Sequence, residues 1–180
     1  MFGTLLKKKI SNDKLANIFI NGIFTSIDNS FPLVAEFINE DPAFVNSPNI
    51  NPADSFEFSL IVLVGNITYL ESSFPPEQAD RVEEIVYTKL ARMYEMNTPE
   101  FKQMLNEYRT FINRLNSPSK NMVYGMSKAI FDKYTLYNHQ DEYFKRMQTP
   151  NPLFLKRMDN VVENFVWNWD SFFKKYKLEH

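Results

Sequence analysis

Four tetrapeptides punctuate this chain: "NSPN" (46–49), "NTPE" (97–100), "NSPS" (116–119) and "QTPN" (148–151). They share one plan. Asn can end a helix in the left-handed conformation. Ser or Thr can accept a hydrogen bond from the free N–H groups of the next helix. Pro suits the first helical position, where its missing N–H costs nothing. Each tetrapeptide can therefore close one helix and open another. Strand-rich folds spend glycine on hairpin turns, and this chain of 180 residues has only 4 glycines. The unequal spacings of the tetrapeptides do not make a solenoid repeat.

Between these marks the apolar residues keep helical spacing. Leu15, Ile18, Phe19, Ile23 and Ile27 form one stripe, and Val82, Ile85, Val86, Leu90 and Met93 another. Phe101, Met104, Leu105, Tyr108, Phe111, Ile112 and Leu115 form a third, and Val123, Met126, Ile130, Tyr134 and Tyr137 a fourth. The stretch "SLIVLVGNI" (59–67) is short and β-branched, which suits a buried strand. Leu60, Ile61, Val64, Ile67 and Leu70 extend it at helical spacing, so residues 53–73 are read as a helix apolar on nearly all sides and central in a bundle. "GNIT" within it matches a glycosylation acceptor, which has no use inside a buried helix. "FPLVAEFINED" is read as a separate short helix. The expected fold is all-α: a single-domain irregular bundle of about six to eight helices and no sheet, over residues 1–177. Leu178, Glu179 and His180 read as the start of an expression tag.

The chain is long enough to bury a substantial core without staples. Apolar residues make up 44% and aromatics 16%, a globular composition. There is no cysteine, which rules out disulfides, thiol catalysis and cysteine-based zinc or iron–sulfur sites. No run approaches the ~20 apolar residues of a membrane helix. Lys7, Lys8 and Lys9 precede a segment interrupted by Asn17, Asn21, Thr25 and Ser26, so no signal peptide is expected. Gly3 follows Phe2, so the myristoylation pattern is missing. The expected location is the cytoplasm.

Signatures of the common chemistries are absent. No P-loop, dinucleotide fingerprint or nucleophile elbow occurs. A helical di-iron site needs two histidines, and with His180 in the tag His139 stands alone. His139, in "YNHQDEYF", could act as a base oriented by Asp141 or Glu142, or be a polar residue of a connection. Asp80, Glu83 and Glu84 fall within one turn. They could hold a metal, or simply favour the helix dipole near an N-terminus. No catalytic residue, metal or cofactor is assigned.

Charge is placed unevenly. Residues 1–90 carry a net −6 and residues 91–180 a net +4, and between Lys14 and Arg81 nine acids meet no base. The two halves either satisfy each other or offer an acidic face to a basic partner, including a second copy. The basic excess is too small to suggest nucleic acid. The lysine clusters at 7–9 and 174–177 read as solvated tails.

Near the end, "NFVWNWDSFFKKYK" places Trp167 and Trp169 two residues apart. On one helix over 153–176, Trp169 falls in the apolar stripe with Phe165, Phe172 and Phe173. Trp167 then lands opposite, among Glu163, Asn164, Asp170 and Lys174, as an interaction hot spot would. A second helix, or "MFGTLL" at the N-terminus, could instead cover it. The expectation is a non-catalytic cytoplasmic interaction or regulatory protein that binds a protein partner or itself as a homodimer through Trp167, Glu163 and Lys174. The alternatives are a small apolar ligand-binding protein, or an enzyme using carboxylates, tyrosine and His139. No nucleic-acid or membrane partner is expected.

Overall fold

The structure is a computed structural model, and it describes residues 6–117 and 119–179. After strand β1 (Lys8–Ile10) come helices α1 (Asn12–Glu40), α2 (Phe56–Ser73), α3 (Pro76–Met93), α4 (Thr98–Asn116) and α5 (Met122–Lys133). The short α6 (Glu142–Met147), α7 (Pro152–Val162) and α8 (Trp169–Lys175) lead to strand β2 (Tyr176–Leu178). The fold is the all-α single domain that the punctuation and the stripes imply.

The mechanism of punctuation differs from the expected one. Asn97, Asn121, Asn151 and Asn168 open helices, each side chain accepting from an N–H of the first turn. The left-handed places fall instead to Asn49, Glu95, Thr135 and Gln148. "NSPN" lies in the loop between α1 and α2 and bounds neither helix directly. "FPLVAEFINED" is no separate helix: α1 continues through Pro32 to Glu40, its buried face running on through Phe31, Val34, Ala35 and Ile38.

Helix α2 is the hub. From Phe58 to Ile67 every residue is buried, and α1, α3, α4 and α5 all pack on it. That is a helix, not the alternative strand. Its one amide, Asn66, is fully buried and spent within the fold, so the "GNIT" match offers no exposed acceptor. Gly65 admits the Met126 thioether into contact with the α2 backbone, where a Cβ would collide with it.

The expected single helix over 153–176 is broken. Helix α7 stops at Val162, a single 3-10 turn covers Glu163–Phe165, and Val166 is extended before α8 begins at Trp169. Asn66 fixes the break. Its Nδ2 donates to the Phe165 carbonyl at 2.8 Å, and its Oδ1 accepts from the Trp167 N–H at 2.7 Å. These are the backbone groups that a continuing helix would have paired internally.

A second departure is a two-stranded parallel ribbon where no sheet was expected. Lys8 pairs with Tyr176, Lys9 with Lys177 and Ile10 with Leu178, and the Glu179 N–H donates to the Ile10 carbonyl at 3.0 Å. Leu178 and Glu179, read from sequence as tag residues, thus join this ribbon; His180 lies outside the described residues.

Candidate functional site

Trp167 is half-buried, and its cover comes from α1. Its ring lies against Gly22, so closely that a Cβ there would overlap it. It meets Phe19 edge-on at 5.8 Å and Trp169 edge-on at 6.2 Å. Trp169 is buried, as expected, stacked on Phe19 at 5.3 Å and edge-on to Phe74 at 5.0 Å. The break before α8 lets both tryptophans enter one aromatic cluster, which a continuous helix would forbid. Residues 1–5 of "MFGTLL", the other candidate cover, lie outside the described residues. Both indole Nε1 atoms are buried and make no hydrogen bond within the described residues.

Beside Trp167 a cleft of about 410 Å³ opens to the surface between α1 and the C-terminal segment. Ile18, Gly22, Ile23, Phe165 and Phe172 make its apolar wall, and Ser26, Asn168, Ser171 and Lys175 supply polar groups. A second hollow, of about 480 Å³, also borders Trp167 and is lined by Tyr69, Glu163, Trp169 and Asp170. Trp167 thus borders two surface depressions. Glu163 shares the second of them; Lys174 is exposed and lines neither. Lys175, not singled out in the sequence, borders the cleft in its place.

The sequence candidates for chemistry are spent on structure. The Asp141 carboxylate caps α6 at the Phe144 N–H, and Glu142 pairs with Lys145 at 3.4 Å, so neither orients the His139 imidazole. Glu83 and Glu84 stand beside Tyr87 and Lys102, and Lys102 pairs with Glu84. Burial raises the Glu83 carboxyl above its ordinary value, against a lowering hydrogen bond from Tyr87. Burial likewise pushes up the Tyr87, Tyr108 and Tyr134 hydroxyls, which keeps them protonated donors. Among the described residues no group of three or more His, Asp or Glu side chains is placed to hold a metal ion. No described helix is long and apolar enough to cross a membrane.

Part of the charge asymmetry is resolved within the molecule. Glu84 to Lys102, Glu71 to Arg109, Glu57 to Lys133 and Asp41 to Arg157 each join an acid of residues 1–90 to a base of residues 91–180. The Asp41 pair is bidentate, at 2.6 and 2.8 Å, with the carboxylate buried. The two terminal lysine clusters take no part in these pairs, and the ribbon gathers them at one end of the molecule.

Asn66 escaped the sequence reading. Its only signal was an amide within an otherwise apolar run, read there as an accidental acceptor pattern. Comparison with known proteins adds no relative: no family model matches the sequence, and neither a curated protein nor a solved structure matches it.

Proposed function

We propose that this chain is a non-catalytic interaction protein of the cytoplasm, and that the Trp167 cleft is its recognition surface, receiving an apolar side chain of a partner. The observation that carries this reading is an open, apolar cleft walled by a tryptophan that a buried asparagine holds by its backbone. Interfaces draw their energy from a few aromatic-lined sockets of this kind. The cleft volume also lies within the ~300–1,000 Å³ range of small-molecule sites, which favours an apolar ligand as the second reading.

Site-specific photocrosslinking in the source cells tests the proposal. A benzophenone side chain at Ser171, in the cleft wall, should trap a discrete partner; one at Lys156, exposed on α7, should not. Equal yields at the two positions, or none at Ser171, would remove the cleft as a protein-recognition surface.

A further inference from the structure

The same chain carries a surface that fits this cleft. On the C-terminal half of α1, Asp28, Glu36 and Glu40 are exposed and form no ion pair among the described residues. Leu33 stands on the same flank as Glu36 and Glu40 and is 65% exposed. At about 100° per residue, Leu33 points within about 20° of both Gly22 and Ser26 around the α1 axis. Glu36 and Glu40 lie within about 60° of Leu33 on the same flank. An acid-flanked apolar knob and an apolar cleft therefore share one flank of one helix, about 16 Å apart along its length.

The cleft end is basic. Lys175 borders the cleft, Lys174 precedes it, and the β1–β2 pairing adds Lys7, Lys8, Lys9 and Lys177 to the same end of the molecule. All six are exposed, and none is in an ion pair among the described residues; Asp170 and Glu179 are the nearest acids in the segment. What reads in the sequence as two solvated tails is one lysine field beside a socket.

We infer that the occupant of the cleft is a second copy of this chain. Leu33 of each copy enters the Trp167 cleft of the other, and Glu36 and Glu40 face the lysines around Lys175. Because knob and cleft lie on one flank of α1, a two-fold axis crossing that helix between residues 22 and 33 forms both contacts at once, with the two helices antiparallel. Association then closes at the dimer instead of propagating. Other polyanionic occupants fit less well. The lysine field holds no arginine, the residue suited to bidentate phosphate recognition. A membrane surface would call for protruding apolar groups, whereas the apolar wall here is concave.

The inference rests on the cleft being a recognition surface and names its partner. Sedimentation equilibrium of the full chain should give a dimer at low ionic strength, weakened about tenfold or more by high salt. Leu33→Asp and Lys175→Glu should each weaken it by about tenfold or more without lowering the melting temperature of the dilute chain. Glu36→Lys combined with Lys175→Glu should recover part of the loss. A monomer under all these conditions overturns the inference. So does a dimer indifferent to Leu33→Asp, an open-ended series of assemblies, or binding to phosphatidylserine vesicles by a chain that stays monomeric. A monomer whose Ser171 probe traps a different protein would overturn this inference alone; a monomer whose Ser171 probe traps nothing would overturn the cleft as a protein-recognition surface as well.

Discussion

Asn66 does at one point what several residues do in other folds: it ends a helix path from outside, by taking over two backbone groups at Phe165 and Trp167. Asn66→Leu would leave both unpaired in the core, and we expect a loss of about 3 kcal/mol or more in urea unfolding, with a shift in tryptophan emission as Trp167 loosens. Gly22 and Trp167 form a second pair that must be read together. Gly22→Ala alone forces the ring away and should cost about 1–3 kcal/mol. In a Trp167→Ala background the same change should cost close to nothing, so a double-mutant cycle isolates the contact. Asp159 gives a test by pH. Its carboxyl is raised above its ordinary value, first by burial, against the hydrogen bond donated by Ser127 Oγ at 2.5 Å. A raised carboxyl binds its proton more tightly in the folded chain than in the unfolded one. Its contribution to stability is therefore greatest below the unfolded value of about 3.9 and declines as pH rises through the folded value. Asp159→Asn should gain on the parent between about pH 4 and neutrality and lose that advantage in acid, as followed by urea midpoints across the range.

Helices were legible because their apolar faces repeat with the period of the element itself. The stripes through Phe19, Val86, Phe101 and Met126 all reach the core. The ends were less legible, since an Asn before Pro serves equally as a left-handed stop or as an N-cap, and only the neighbouring carbonyls and N–H groups decide. Two errors had the same source. "FPLVAEFINED" read as a separate short helix, yet α1 passes through Pro32 because Phe31, Val34 and Ala35 on its two sides bury against one core. Trp167 read as a residue of a continuous helix, yet a contact with α2, about a hundred positions earlier, unwinds that segment. Local periodicity cannot report a partner so distant in sequence, so the sequence singled out Trp167 but misjudged its surroundings. Pro32→Ala restores a backbone donor in an exposed helical position. It should stabilise the protein by about 1–3 kcal/mol, read as a higher urea midpoint; an unchanged midpoint would mean that α1 already relaxes around the ring.

At the scale of the whole molecule, stability is graded from the centre outward. The amides of Leu60 to Val64 sit in a helix covered on all sides, and their hydrogen exchange should require global unfolding. Those of the ribbon should exchange orders of magnitude faster, through local opening, because three residue pairs at the surface hold it. Native-state exchange followed by mass spectrometry would show this order directly. Four ion pairs join the acidic first half to the basic second half and offset part of the imbalance. The ribbon has a mechanical side as well. Its strands run parallel, so tension applied through the segment before Lys8 and the segment after Leu178 pulls them along their length in opposite directions. Such a load falls on the inter-strand hydrogen bonds together, as shear, and does not peel them one at a time. An array too small to matter to equilibrium stability would thus be the first clasp that a stretched chain has to break, and the helices behind it would feel no force until it gave way.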